Sequence, residues 1–116
     1  MNPCTIYHNP RCRKSRQTLE LLRQRNNEPE VIEYLQTPPS IEELDTILKK
    51  LDKGPQDIVR TREAVYKDLG LGEKSLTRKN WIEVLVANPI LIERPIVVTK
   101  DAARIGRPPE NVLEIV

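Results

Sequence analysis

The chain has 116 residues, of which 38% are hydrophobic and 31% are charged, and its formal net charge is +2 at pH 7. These values predict one globular domain, because a chain of this size buries roughly two thirds of its unfolded surface around a single core. The small net charge gives no argument for nucleic acid as a partner, and no apolar run approaches the ~20 residues that cross a membrane.

The first predicted elements are a strand, a helix and a second strand. Thr5-Ile6-Tyr7 is a β-rich run that ends in the turn signal His8-Asn9-Pro10, and apolar residues then recur at helical spacing to about Asn26. Residues 31–35 form the second predicted strand, which is closed by Thr37-Pro38-Pro39. A crossover of this length predicts a parallel pair of strands with a right-handed connection.

The middle of the chain predicts helices. Ser40 and Glu43 form a capping box before an apolar stripe that continues to Leu51. Short helical pieces follow at about 56–69, and Thr77 then caps a helix that ends at Asn88-Pro89. We therefore expect a helical segment over about 40–88.

The last part of the chain predicts a hairpin and a helix. Residues 96–99 form a strand, Lys100-Asp101 a tight turn, residues 102–105 a short partner strand, and Pro108-Pro109 the start of a helix. The whole order predicts an α/β fold in which helices cover a small mixed sheet. We expect a single domain over residues 1–116, with the helical segment inserted between a βαβ half and a ββα half.

Cys12 is the residue that most clearly indicates chemistry. It follows a strand and begins a helix, where unpaired N–H groups and the helix dipole favour an anion. Residues 11–16 read Arg-Cys-Arg-Lys-Ser-Arg, and such cations lower a thiol pKa below its free value of ~8.5. A buried, inert cysteine is the ordinary alternative, but the charged neighbours argue against burial. Ser15 falls one turn into the helix, where its hydroxyl could donate to the sulfur.

The other two candidates near the N-terminus are a histidine and a cysteine. His8, the single histidine, either tunes the Cys12 thiolate or satisfies its own loop, and both interpretations stay open. Cys4 is predicted to be structural, because an extended strand at ~3.3 Å per residue keeps it farther from Cys12 than the ~7 Å between Cα atoms that a disulfide allows. The same separation argues against a zinc site built from these three residues.

The cysteine count and the N-terminus also indicate a compartment. Two cysteines are too few for a disulfide scaffold, and a reducing cytoplasm fits them best. The N-terminus lacks the charged and apolar regions of a signal peptide. We therefore expect a cytoplasmic protein.

The stretch His8–Leu19, which reads His-Asn-Pro-Arg-Cys-Arg-Lys-Ser-Arg-Gln-Thr-Leu, resembles the catalytic loop of the glutaredoxin-linked arsenate reductases. The resemblance continues in one register through nearly the whole chain, and its longest run is Asn88–Thr99. It implies membership of the arsenate reductase/Spx-like family, among short members that lack a C-terminal tail. It also implies a thioredoxin-like sandwich with a helical insertion.

The same resemblance implies a reaction and its residues. In that family the cysteine that matches Cys12 is the nucleophile, and arginines that match Arg60, Arg94 and Arg107 hold the oxyanion. The implied reaction reduces arsenate to arsenite through a covalent adduct on a single cysteine. Glutathione is the implied co-substrate and glutaredoxin the implied partner, with no bound metal or organic cofactor. Guanidinium groups suit this task because their donors have fixed, bidentate geometry. The resemblance also implies a cis bond before Pro95.

Two further functions are compatible with this fold. Spx-type regulators bind RNA polymerase and sense redox state through Cys-x-x-Cys; here position 15 is Ser, so that switch is absent, although polymerase binding stays open. The third is a thiol- or oxyanion-binding protein without arsenate reductase activity. The short C-terminus and the very basic loop after Cys12 depart from the best-known reductases and leave the physiological oxyanion open.

Overall fold

The computed structural model describes residues 2–116. Short 3-10 helices occupy Pro55–Ile58, Leu71–Glu73, Pro89–Leu91 and Pro109–Glu114. The β-strands and α-helices in chain order are β1 (Thr5–His8), α1 (Arg13–Gln24), β2 (Glu30–Glu33), α2 (Ile41–Leu51), α3 (Ala64–Asp68), α4 (Arg78–Ala87), β3 (Ile96–Val98) and β4 (Ala103–Ile105). The chain forms two compact units: a sheet unit, made of the chain up to Thr37 together with Arg94–Val116, and a helical unit, Pro38–Glu93.

The sheet unit contains a mixed sheet with the strand order β2-β1-β3-β4 within the described residues. β1 pairs with β2 in parallel, as the crossover predicts, and with β3 in the antiparallel direction, while β3 and β4 form the hairpin. β1 is therefore hydrogen-bonded on both sides. Its carboxyl end at His8 is fixed in the middle of the sheet, which determines where the loop to Cys12 begins.

The core of the sheet unit lies between the sheet, α1 and the C-terminal 3-10 helix. α1 turns Ser15, Thr18 and Leu22 inward at helical spacing. The buried cluster that joins the three layers consists of Cys4, Ile6, Leu22, Val97, Val112 and Ile115. Because this packing holds α1 against the interior strands, the first turn of α1 has a fixed position at the end of β1.

The helical unit begins with the predicted capping box. The Ser40 hydroxyl accepts the Glu43 N–H at 3.1 Å, and the Glu43 carboxylate accepts the Ser40 N–H at 2.9 Å. α2 packs against α4. The unit continues to Glu93, beyond the predicted end at 88, because Val59 forms an antiparallel bridge with Ile92 and the Glu93 N–H donates to the Ile58 carbonyl at 2.8 Å.

The structure confirms the α/β class and corrects the predicted second strand and the predicted final helix. β2 ends at Glu33, and Tyr34 and Leu35 lie in a turn that the Gln36 and Thr37 N–H groups close on the Glu33 carbonyl. Tyr34 is nevertheless buried, which explains why the sequence around it has the apolar pattern of a strand. The final helix is a 3-10 helix. The assignment of the chain to a single domain stays a prediction. In the part of the chain that the structure describes, no helix has the length and apolar character to cross a bilayer.

Candidate active site

Cys12 occupies the N-cap position of α1, at the end of a tight turn from β1. Its own N–H donates to the Asn9 carbonyl at 3.0 Å, and its carbonyl accepts the Arg16 N–H at 3.0 Å. Its backbone is extended, with φ −92° and ψ 123°, as is usual for a residue that precedes the first helical turn. The residue is half-buried. The sulfur therefore lies at a helix start, as predicted, on a residue that is not fully buried.

The surroundings of Cys12 favour its thiolate. Burial raises the thiol pKa, but the Ser15 N–H, the Arg94 guanidinium and the Lys14 N–H together outweigh it, so that the pKa lies below its ordinary value. The sulfur forms no capping hydrogen bond of good geometry with α1. The N–H groups of the first turn thus act on it as oriented dipoles, while Arg94 acts both as a hydrogen-bond donor and as a charge.

Arg94 and Arg107 converge on this sulfur. Arg107 Nη1 lies 3.9 Å from Cys12 Sγ and also donates to the Arg94 carbonyl at 3.3 Å. Each arginine precedes a cis proline, at the Arg94–Pro95 bond, as expected, and at the Arg107–Pro108 bond, which the sequence reasoning missed. The sheet unit thus brings together one activated thiol, two guanidinium groups and a helix N-terminus. This combination can bind a tetrahedral anion next to a nucleophile.

Arg60 belongs to the helical unit. Its Nη1 lies 2.9 Å from a Glu93 carboxylate oxygen, and its Nε lies 3.3 Å from a Glu63 carboxylate oxygen. Its backbone is fixed as well, since the Arg60 N–H donates to the Leu91 carbonyl at 2.7 Å. The side chain is therefore ordered by two acidic partners. Its role as a third oxyanion ligand stays a prediction.

His8 and Ser15 form a buried pair that organises the loop. His8 Nδ1 and Ser15 Oγ are 2.6 Å apart, and the same oxygen accepts the Asn9 N–H at 3.0 Å. The hydrogen bonds described for the Ser15 hydroxyl join it to His8 and Asn9, and its donation to the sulfur stays a prediction. It is the Ser15 N–H that acts on Cys12.

The protonation state of His8 follows from its burial. Burial lowers the pKa of His8; Glu33 raises it, and Arg23 and Arg16 lower it further, with a net shift below the ordinary value. The ring is therefore neutral at pH 7, and its Nδ1 can accept the Ser15 proton. The contact with Ser15 suits the loop-ordering interpretation of His8, and both interpretations stay predictions.

Cys4 has the opposite character to Cys12. It is buried, its thiol donates to Asn27 Oδ1 at 3.6 Å, and burial raises its pKa. Both cysteines are free. Among residues 2–116, no three His, Cys, Asp or Glu side chains are arranged to hold a metal ion. The burial of Cys4 and its hydrogen bond to Asn27 agree with a structural role for this residue.

Three residues of the site were missed by the sequence reasoning. Asn9 orders the loop, because its side chain accepts the Arg11 N–H at 3.0 Å; the Asn-Pro dipeptide is a signal that could have revealed it. Asn111 Nδ2 donates to the Arg107 carbonyl at 3.2 Å, and Gly106 packs closely on Thr18. No sequence signal indicates these two, because their contacts depend on the tertiary fold.

Comparison with known proteins identifies relatives over almost the full chain. The model of the ArsC family matches residues 7–115. The chain is 52% identical to the uncharacterized protein YfgD of Escherichia coli strain K12 over 112 residues, covering 96% of this chain and 94% of that protein. It is 44% identical to an arsenate reductase of the same organism over 115 residues, covering 99% of this chain and 82% of that enzyme.

A solved structure gives the same result for the fold. The arsenate reductase of Vibrio cholerae superposes with a TM-score of 0.94 at 46% identity, covering 99% of this chain and 98% of that one. The predicted thioredoxin-like α/β fold is thereby confirmed.

Proposed function

The chain belongs to the ArsC family, and on this basis we propose that it is an oxidoreductase that reduces arsenate to arsenite with Cys12 as its nucleophile. The observation that supports this proposal most directly is the approach of Arg107 Nη1 to 3.9 Å from Cys12 Sγ. A guanidinium at that distance can hold an oxyanion while the thiolate attacks its central atom. The lowered pKa of Cys12 raises the fraction of the reactive thiolate at a given pH.

The first step forms a bond between sulfur and arsenic. The Cys12 thiolate attacks arsenate, one arsenate oxygen leaves as water after protonation, and a covalent thiol–arsenic(V) adduct remains. No electrons are transferred to arsenic in this step. Arg94 and Arg107, with Arg60 as the proposed third ligand, stabilise the negative charge that accumulates on the oxygens in the transition state.

The reduction itself needs two thiols from outside the chain. Glutathione attacks the adduct and displaces a second oxygen as water, which gives arsenic bonded to two sulfurs. A glutaredoxin thiolate then attacks the glutathione sulfur and forms a mixed disulfide with it. The bond between arsenic and the glutathione sulfur breaks, and the electron pair of that bond stays on arsenic. Water releases arsenite and restores the Cys12 thiol. The two thiols lose two electrons and arsenic(V) gains them.

This scheme assigns no redox role to Cys4, which is buried against Asn27. It uses no bound cofactor or metal, and glutathione takes part only as a co-substrate. A reducing cytoplasm supplies the glutathione and the glutaredoxin that this scheme needs, and we propose the cytoplasm as the compartment of the protein.

A coupled assay with arsenate, glutathione and glutaredoxin tests the proposal. Cys12→Ser is expected to abolish arsenite formation, whereas Cys4→Ser is expected to retain it. Arg94→Lys and Arg107→Lys keep the charge but lose the planar fork. Because a charge-assisted hydrogen bond contributes ~1.5–3 kcal/mol, each should lower kcat/KM roughly ten- to a hundredfold.

Arg23→Lys is the matched control for the arginine variants. Arg23 on α1 is an exposed side chain that pairs with Glu28, beyond the end of the helix, so the same substitution there should leave turnover unchanged. Equal activity in all three lysine variants would refute the shared oxyanion site. Protection of Cys12 by arsenate without reduction would favour an oxyanion-binding protein, and specific binding of purified RNA polymerase would favour the Spx-like alternative.

A further inference from the structure

Three residues from separate parts of the sheet unit are in unusually close contact. Thr18 on α1 is fully buried; its Oγ1 donates to the Lys14 carbonyl at 2.8 Å and lies 3.5 Å from the Gly106 carbonyl. A Cβ atom on Gly106 would lie 2.5 Å from Thr18 Oγ1 and 2.8 Å from Pro95 Cγ. The three residues therefore leave no room for a further atom between them.

Each of these residues adjoins a part of the candidate active site. Pro95 follows Arg94, and Gly106 precedes Arg107. The Gly106 N–H donates to the Pro95 carbonyl at 2.9 Å, which joins the two loops that carry the arginines. The Thr18 hydroxyl, through the Lys14 carbonyl, joins them to the first turn of α1, where Cys12 lies.

We propose that Thr18 is a positioning residue, which sets the distance from Cys12 to the guanidinium groups of Arg94 and Arg107. The hydrogen bond of its hydroxyl fixes the Thr18 side chain on α1, and Gly106 and Pro95 pack against this fixed side chain. The role depends on the proposed function only in that arsenate is taken as the oxyanion.

A simple packing role does not account for this arrangement. Buried threonines often donate to the carbonyl four residues earlier in a helix, so this hydrogen bond alone does not distinguish Thr18 from an ordinary buried threonine. Leu22, one turn later, is as fully buried and fills the apolar core. Thr18 differs because a valine of the same shape would place a methyl group against the Lys14 and Gly106 carbonyl oxygens, and repulsion there would move the loops that carry the arginines.

The test compares Thr18→Val with Thr18→Ser and with Leu22→Val, a core control on the same helix. The first readout is the arsenate concentration that protects Cys12 from iodoacetamide, and the second is the Cys12 pKa from the pH dependence of alkylation without arsenate. Thr18→Val should need about tenfold more arsenate, consistent with loss of one hydrogen bond and a displaced arginine pair, and should raise the Cys12 pKa. Thr18→Ser and Leu22→Val should stay within about twofold of wild type in protection, although Leu22→Val lowers the thermal unfolding midpoint.

Equal protection and equal Cys12 pKa in Thr18→Val and Leu22→Val would overturn the inference. If Thr18→Val does not fold, Thr18→Ala takes its place and is compared with Thr18→Ser, because both variants lack the methyl group and only Thr18→Ala lacks the hydroxyl. Equal arsenate protection and equal Cys12 pKa in these two variants would overturn the inference as well.

The same readouts separate this inference from the proposed function. A wild-type protein that fails to reduce arsenate, but whose Cys12 pKa and protection depend on Thr18, would refute the function and retain the positioning role. Normal arsenate turnover with an unchanged KM in Thr18→Val would refute the positioning role alone.

Discussion

At the scale of single residues, the two cysteines of this chain differ in what surrounds their sulfur atoms. Dipoles and a guanidinium lower the pKa of Cys12 despite its burial, and burial alone raises that of Cys4. Since the thiolate is the reactive form, the difference should appear directly as a difference in rate.

We expect iodoacetamide to modify Cys12 well below pH 8 and to modify Cys4 slowly under the same conditions. Peptide mass spectrometry after timed alkylation at pH 6 to 9 gives the two rates separately. Urea-unfolded protein is the control, because unfolding removes both environments and should bring the two rates together. Faster modification of Cys4 in the folded protein would contradict the assignment of the reactive thiol.

The lowered pKa of His8 predicts that the free energy of unfolding depends on pH. In the unfolded chain a histidine binds a proton below about pH 6.5, while the folded protein resists protonation at Nδ1. The unfolded state then binds more protons, so the contribution of His8 to stability is full above about pH 6.5. It falls as the pH drops from about 6.5 to the lowered pKa of the folded state, by up to about 1.4 kcal/mol per pH unit. His8→Asn keeps an acceptor for Ser15 and cannot titrate. Urea unfolding at pH 7, 6 and 5 should give a smaller loss of unfolding free energy for His8→Asn, and equal losses would show that His8 is not held neutral.

At the scale of elements, the site depends on how closely Gly106, which follows β4, and Pro95 approach Thr18 on α1. Gly106 permits this approach, since a side chain there would overlap Thr18 and Pro95. The restriction is steric, because Gly106 does not have a positive φ.

Gly106→Ala should therefore lower the free energy of unfolding by about 1–3 kcal/mol, the usual cost of overpacking. Chemical denaturation measures the change. Gly54→Ala is the control, because its nearest contact would be Asp57 Oδ2 at an ordinary 3.6 Å, and we expect a change within about 0.5 kcal/mol. Equal effects of the two substitutions would contradict the close packing.

The elements that sequence patterns predicted are those whose signals are local. The capping box at Ser40, the turn at Pro10 and the β-rich run before it all depend on neighbours in the chain, and the structure contains each of them. The predicted end of β2 was wrong, because a residue buried in a turn, here Tyr34, gives the same apolar sequence pattern as a residue buried in a strand. The hydrogen bonds of Ser15 and the close contact of Gly106 with Thr18 join residues through the tertiary fold, which spacing in the sequence does not report.

At the scale of the whole molecule, the chain offers one accessible thiol and one buried thiol. A buried Cys4 that donates to Asn27 has no path to Cys12 without unfolding of β1, which separates them. The protein should therefore exchange thiols with other molecules and form no internal disulfide.

Mild oxidation with glutathione disulfide should add one glutathione per chain, and peptide mapping should place it on Cys12. Intact-mass analysis distinguishes this product from a loss of two hydrogens. Cys4→Ser should give the same adduct and Cys12→Ser should give none. An internal disulfide in the folded monomer would contradict the separation of the two sulfurs by β1.

The position of Cys12 at the start of α1 also makes the states of the proposed cycle differ in how strongly the helix stabilises them. A helix N-terminus stabilises negative charge by about 0.3–1 kcal/mol in exposed settings and more where partly buried, and it gives no such help to a neutral group. The thiolate and the arsenic(V) adduct are both anionic, whereas an arsenic(III) thiol ester at the end of the cycle is neutral. The helix therefore favours the early states over the neutral one, and release of arsenite restores a thiol that the helix start again favours as its thiolate.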